Sequence, residues 1–362
     1  MRILHIHSGN LYGGVERVLS AISWKAKACS GDEQHFALCF EGRLAEELRG
    51  HGAKLHILGA ARASQPWSVW RARRRLHDLC QKHEFEMAMV HSLWSLAVAG
   101  PAAPRPLFLY QHDLFESRHG WLEHWARRNR PDTIIANSAY TASTTHHLFP
   151  EIARRVVHPP AILHAPRLRG WVRGPACVIV QASRFERWKG HELTLNALAL
   201  LPPNLEWEYW IAGEPQGREQ HALRASLETR ATALGIAERV RFLGHVSDVA
   251  TLLRTGDIYC QINTAPEPFG LAYVEALDAG LPVVASALGG ALEILNDGCG
   301  FLLPPDASQV SAVLELLIAN PELRRRIGAN GAAQARRLCD PKTQIRALSA
   351  ACESVAGMLQ AA

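Results

Sequence analysis

Two glutamates, Glu267 and Glu275, flank a Pro-Phe-Gly turn in the stretch APEPFGLAYVEALDAGLPVVAS, residues 265–286. Pro266 and Pro268 disfavour helix before Phe269. Residues 271–279 have the apolar spacing of a helix, which the following Gly-Leu-Pro closes. Glu267 is therefore predicted in a loop and Glu275 on the second helical turn. Between them, the amides of Phe269, Gly270 and Leu271 fall at a helix N-terminus, where N–H groups without intrahelical acceptors suit a phosphate. Gly270 lets a ligand come close to the backbone. A carboxylate does not bind phosphate; it accepts hydrogen bonds from hydroxyls. A ligand with sugar hydroxyls at both ends of a diphosphate satisfies acids and amides together, and a nucleotide sugar is such a ligand. The ordinary alternative makes Glu267 a cap and Glu275 a solvated helix residue.

Three other stretches end apolar runs in polar residues. In SRFERWKG, Arg184 and Lys189 leave a strand end five residues apart. Arg as a planar fork and Lys as a point charge suit a diphosphate, and fixed cations there stabilise a departing diphosphate. The alternative is a charged, solvated turn. GNLYGGVER follows the first strand, with Gly14 opening a helix; a glycine turn at that place can face a phosphate or a sugar. His112 ends the strand LFLYQ and His91 a similar one, each able to bond a sugar or a phosphate or to sit there without chemistry. No GxGxxG, P-loop lysine motif, Asp-x-Asp or His/Cys cluster with ligand spacing occurs, so neither a dinucleotide, an ATPase site nor a metal is expected.

These stretches need a frame. The apolar runs RILHIH, QHFALCF, KLHILG, EMAMVHS, PLFLYQH and TIIANS alternate with helical patterns such as GGVERVLSAISWKAKA and SVWRARRRLHDLCQKH. The Pro/Gly/Arg-rich stretch 158–176 breaks the alternation. It restarts with CVIVQAS, LEWEYWIAG, VRFLGHV, DIYCQIN, PVVAS and GFLLPP as strands. Such alternation predicts two α/β domains, each a doubly wound parallel sheet, with ligands beyond the carboxyl ends of the strands. The expected boundaries are 1–165 and 166–340, with 341–362 as a last helix crossing back to the first domain.

At 362 residues and 48% hydrophobic composition, the chain can bury two cores. Its eight cysteines form no CxxC pair and read as reduced core residues of a cytosolic protein. The N-terminus is too short and polar for a signal peptide, and no run approaches a membrane span. Residues 1–170 hold 22 Lys+Arg against 14 Asp+Glu, a net of +8, and residues 171–362 hold 17 against 20, a net of −3. The two halves are thus expected to face different partners, or the first half an acidic one. Its basic residues gather in WRARRRLHDLCQKH (70–83) and RHGWLEHWARRNR (118–130). Trp121 and Trp125 would share a helix face beside Arg127, Arg128 and Arg130, an arrangement suited to an anionic membrane edge. The ordinary reading buries both tryptophans and solvates the arginines.

EPFGLAYVE with its trailing ALDAGLPVVAS, SRFERWKG, GGVE and IANS (135–138) together resemble the GT-B glycosyltransferases of family 4, over most of the chain. The resemblance implies two Rossmann-like domains facing a cleft, the first taking the acceptor and the second the nucleotide-sugar donor. It implies that Glu267 bonds the transferred sugar, Glu275 the ribose hydroxyls, and Arg184 and Lys189 the diphosphate with the amides of Gly270 and Leu271. Gly14 would approach the donor phosphates, backbone at Val246 would meet the base, and His112 would stand near the transferred sugar. The implied reaction is a metal-independent, retaining transfer with no cofactor, in which the leaving phosphate takes the acceptor proton. The donor would be UDP- or GDP-linked. The acceptor is left open, an anionic or lipid-linked one being the candidate, with no nucleic-acid partner. The expected place is the cytoplasm or the inner face of its membrane. A nucleotide-sugar epimerase on this fold, or a non-catalytic nucleotide-sugar-binding protein, is the alternative. An epimerase needs further acids near the sugar, and no clear set is present.

Overall fold

The computed structural model describes residues 1–118, 120–163, 174–296 and 298–361. Two compact units divide the chain, Met1–Ile162 with Cys339–Ala362, and Leu163–Leu338. Most of the basic stretch PRLRGWVRG lies outside the described residues.

The first unit is built on seven parallel strands: β1 (Arg2–His7), β2 (Glu33–Leu38), β3 (Lys54–Ile57), β4 (Met87–Val90), β5 (Leu107–Gln111), β6 (Thr133–Ala136) and β7 (Arg154–Val156). Their order is β3-β2-β1-β4-β5-β6-β7. All of β4 to β6 is buried, as continuous apolar runs require when helices cover both faces. The strand order reverses between β1 and β4, and a crevice opens at such a point beyond the carboxyl ends of the strands. β7 is not predicted from the sequence: it is three residues long and half-buried at most, so it leaves no apolar signature.

The C-terminal helix Pro341–Ala361 belongs to this unit and packs on the helix Gly14–Cys29. Ser349 Oγ donates to Asp32 at 2.5 Å, and Arg346 Nε to the carbonyl of Cys29 at 2.9 Å. Asp32 also pairs with the N-terminal ammonium at 2.9 Å.

The second unit has six parallel strands: β8 (Cys177–Ala182), β9 (Trp207–Ala212), β10 (Val240–Gly244), β11 (Ile258–Gln261), β12 (Val283–Ser286) and β13 (Gly300–Leu303), ordered β10-β9-β8-β11-β12-β13. Here the reversal falls between β8 and β11. β10 stops at Gly244, whose φ of +68° turns the chain out of the strand. Val246, predicted within that strand, lies beyond its end. The helices Ala307–Ala319 and Pro321–Cys339 are also unpredicted.

All eight cysteines are thiols; six are buried, and Cys29 and Cys80 are half-buried. Among the described residues no helix is long and apolar enough to cross a membrane.

Candidate functional site

In the second unit the polar residues meet at the ends of β8 and β11. Gly190 adopts φ +69°, and a Cβ there would lie 1.6 Å from the carbonyl oxygen of Ile262. Only glycine lets the 184–190 turn press on the backbone leaving β11. The amide of Thr264 donates to the carbonyl of Trp188 at 2.8 Å and locks the two segments together. That contact delivers the Lys189 ammonium to Glu267, at 2.6 Å from Oε1. The ammonium also lies 4.1 Å from the centre of the Trp188 ring.

Glu267 is held on every side. Its Oε2 accepts from Asn263 Nδ2 at 2.8 Å and from Gln261 Nε2 at 3.1 Å. Its backbone carbonyl accepts from Gly290 N at 2.8 Å. Gly289 has φ +62°, and a Cβ there would come within 2.4 Å of the same carbonyl. Asn263 in turn donates to the Tyr273 hydroxyl at 3.0 Å, and Ser286 Oγ donates to the Asn263 carbonyl at 2.6 Å. Burial, followed by the charges of Glu267 and Glu275, holds the Tyr259 phenol well above its ordinary range. Both acids thus bear on the same strand end.

The helix Leu271–Asp278 starts from Gly270, at φ +114°. Its first internal donors are the amides of Tyr273 and Val274, both to the Gly270 carbonyl. The amides of Leu271 and Ala272 precede them, at the positive end of the helix. Phe269 anchors this turn by burying its ring. Glu275 is half-buried on the second turn.

Arg184 and Lys189 are not equivalent. Arg184 is half-exposed and pairs with Glu186 at 2.9 Å, whereas Lys189 is buried. Val246 is half-buried in the loop after β10.

In the first unit, Gly13 caps the helix that Gly14 opens. The Gly13 amide donates to Glu16 Oε2 at 2.8 Å, and Glu16 Oε1 lies 2.7 Å from His7 Nε2. Burial raises the Glu16 pKa, but the bonds to His7 and Gly13 outweigh it and hold the carboxyl below its ordinary value. His112 follows β5, buried, with its ring 4.3 Å from that of Tyr110 and 5.4 Å from that of His91. Burial, with the nearby His7, pushes its pKa down to about 3, so the ring is neutral at pH 7. In IANS, Ser138 caps the helix Ala139–Thr144, accepting from Thr141 N, and Asn137 Nδ2 donates to the His112 carbonyl at 3.5 Å.

The structure therefore gathers Glu267, Lys189, Gly270 and Leu271 at the reversal point of one sheet, with Glu275 a turn further on. It places Gly14 and His112 at the strand ends of the other. Sequence reasoning missed Glu16, His7, Asn263 and Gln261. Glu16 has a legible signal, an acid three residues after the Gly13 cap. Asn263 and Gln261 lie only four and six residues before Glu267, but the irregular loop between them follows no helix or strand period that would signal the contact. Among the described residues no group of three or more His, Cys, Asp or Glu side chains is arranged to hold a metal ion.

Two family models match, "Glycosyltransferase Family 4" over residues 12–163 and "Glycosyl transferases group 1" over residues 173–334. The chain is 35% identical over 186 residues to a phosphatidyl-myo-inositol mannosyltransferase of Mycobacterium leprae, covering 50% of this chain and 47% of that protein. It is 32% identical over 222 residues to a D-inositol 3-phosphate glycosyltransferase of Geodermatophilus obscurus, covering 55% and 49%. The chain spans about half the length of these curated relatives. The crystal structure of Anabaena Alr3699/HepE in complex with UDP and glucose superposes with a TM-score of 0.78 at 25% identity, covering 98% of this chain and 99% of that one.

Proposed function

Since the chain belongs to the GT-B glycosyltransferases of family 4, we propose that it moves a sugar from a nucleotide-diphosphate sugar to an acceptor hydroxyl, with retention and without a metal ion. The observation that carries this reading is the buried Lys189–Glu267 pair beside the Gly270 turn. A cation, a hydroxyl acceptor and a helix N-terminus stand together, the set of groups that a diphosphate joined to a sugar calls for.

In this reading Glu267 positions the transferred sugar. Asn263 and Gln261 preset its carboxylate, so orientation is in place before the substrate arrives. Lys189 and Arg184 take the diphosphate, with the amides of Gly270 and Leu271. Negative charge grows on the leaving oxygen as the glycosidic bond breaks, and fixed donors there lower the barrier. The leaving phosphate accepts the proton of the attacking hydroxyl on the same face, so no side-chain base is required. His112, neutral at pH 7, serves as a hydrogen-bonding group beside the sugar and not as a charge. Glu275 holds the ribose hydroxyls, Val246 meets the base through its backbone, and Gly14 lets the donor phosphates approach.

A UDP- or GDP-linked donor fits; the Anabaena neighbour described with UDP and glucose supports the former. The mycobacterial relative, named for a phosphatidylinositol substrate, supports a lipid-linked acceptor, reached at the inner membrane face. The test is a thermal-shift screen of UDP-, GDP-, ADP- and TDP-sugars, followed by NMR assignment of the product anomer. A ligand at about 100 times its Kd adds roughly 2.7 kcal/mol of stability. No shift with any of them, or an inverted product, overturns this reading.

A further inference from the structure

One row of polar groups, three buried histidines and the half-buried Gln34, crosses four neighbouring strands of the first unit. Gln34 Oε1 on β2 lies 2.6 Å from His5 Nε2 on β1. His5 Nδ1 lies 2.9 Å from His91 Nε2, at the end of β4. His91 Nδ1 lies 3.2 Å from His112 Nε2, at the end of β5. His5 and His91 are 1% and 0% exposed. Each ring is wedged: His5 stacks on Phe36 at 5.2 Å, and His91 stacks on His112.

Each link has room for one proton. Burial lowers the pKa of His5 to about 4 and that of His91 well below its ordinary value, so all three rings are neutral. A neutral imidazole donates at one nitrogen and accepts at the other. The proton order is then all-or-none, and its direction is set at the Gln34 end. With the Gln34 oxygen facing His5, His5 Nε2 must donate. His5 Nδ1 then accepts from His91 Nε2–H, and His91 Nδ1 accepts from His112 Nε2–H. Turning the Gln34 amide over reverses every link.

We infer that Gln34, His5 and His91 are positioning residues that hold the proton of His112 on Nε2 and leave its Nδ1 as a hydrogen-bond acceptor. His112 bonds the described residues through Nε2 and its carbonyl, and its Nδ1 is not among the sealed atoms that lack a partner, so Nδ1 remains open to an incoming group. The identity of that group, a hydroxyl of the transferred sugar, rests on the function proposed above; the proton order does not. A hydroxyl that meets this nitrogen must donate to it, so the relay tells a sugar bearing a hydroxyl there from one bearing only an ether or carbonyl oxygen.

The test is long-range 1H–15N correlation spectroscopy of the full chain labelled with 15N-histidine. His5, His91 and His112 are expected as Nε2–H tautomers in the wild type. Gln34→Glu, which can only accept, preserves this order. Gln34→Leu frees it, giving a tautomer mixture at His112 and a severalfold loss of kcat/KM that Gln34→Glu restores. A proton on Nδ1 of any of the three rings in the wild type overturns the inference, as does a single unchanged His112 tautomer in Gln34→Leu. The donor is added last. The expected relay with a shifted His112 Nδ1 resonance supports both readings, and the expected relay with no shift supports the relay while removing the sugar contact.

Discussion

The Lys189 ammonium stands 2.6 Å from the Glu267 carboxylate, with side-chain exposures of 9% and 13%. Removing one partner leaves the other charge buried and short of its main counter-ion. Lys189→Ala is expected to destabilise the protein by roughly 3 kcal/mol, at the low end for buried pairs because Asn263 and Gln261 still serve Glu267. The double variant with Glu267→Ala should cost less than the sum of the two single changes. Urea denaturation of the four proteins measures this; strict additivity rejects the coupling. At a temperature where all remain folded, Lys189→Ala should lower kcat by on the order of a hundredfold.

Glu275→Ala tests the other acid. It is expected to weaken donor binding by about 1.5–3 kcal/mol, the value of a hydrogen bond to a charged acceptor. Glu267→Ala should lower turnover more than binding, because that acid positions the reacting sugar. Calorimetric titration and steady-state rates separate the two, and EDTA should leave the wild-type rate intact. Indistinguishable effects of the two variants, or activity restored only by added Mg²⁺, contradict the assignment.

Both sheets are legible in the chain because their central strands are buried on both faces and read as apolar runs. β7 is not, being a three-residue edge strand. The site is legible where local rules act: prolines keep Glu267 off the helix, Gly270 starts it, and spacing puts Glu275 on its second turn. It is illegible where tertiary contact decides. Lys189 and Arg184 look alike in sequence, yet the close approach at Gly190 buries the first and leaves the second half-exposed. The relay from Gln34 to His112 needs four strands in register, and no spacing in the chain encodes that.

Gly190 and Gly31 share a left-handed φ, +69° and +76°, but differ in surroundings. A Cβ at Gly31 meets nothing within 4 Å, so Gly31→Ala should cost only the backbone term, about 1–2 kcal/mol. Gly190→Ala must also push apart the 184–190 turn and Ile262, and should destabilise by more than about 4 kcal/mol. Denaturation midpoints of the two variants check the contrast. Equal midpoints reject the account of Gly190 as the contact that seats Lys189.

Acid should unfold the protein earlier than its carboxylates alone require. Burial lowers His5 to about 4, and His112 and His191 to about 3, with His91 also well below its ordinary value. Their folded pKa values lie below the unfolded one, so the unfolded chain binds more protons once pH falls under about 6.5. The stability they contribute is fully present above that value and is lost progressively from about 6.5 down to 4 and below. Each ring adds about 1.4 kcal/mol per pH unit to the slope while only its unfolded form is protonated. Denaturation midpoints between pH 7.5 and 5 measure this. A flat profile contradicts the neutral, buried state of these rings.

The basic surface of the first unit makes the last prediction. The helices Pro66–Lys82 and Trp121–Arg127 both pack on the helix Leu93–Ala99. Arg73 ties the first of them down, donating to the Val98 and Ala97 carbonyls at 2.7 and 3.0 Å. Sequence patterning allows both Trp121 and Trp125 to be core residues. The structure divides them: Trp125 is half-buried against the core, and Trp121 is 63% exposed, with the rings 6.2 Å apart. Trp67 and Trp70 are 59% and 61% exposed on the other helix. Exposed arginines accompany them, Arg71, Arg74 and Arg75 on one helix and Arg127, Arg128 and Arg130 at the end of the other. Large amphipathic rings beside guanidinium groups suit a lipid headgroup layer, where each basic residue adds about 1 kcal/mol. Co-sedimentation with vesicles of rising phosphatidylglycerol content is expected to increase at low salt and fall at high salt. Combining Trp70→Ala and Trp121→Ala should weaken binding at both salt concentrations, since apolar insertion is not screened. Absence of binding at low salt to strongly anionic vesicles rejects membrane contact and leaves a soluble acceptor.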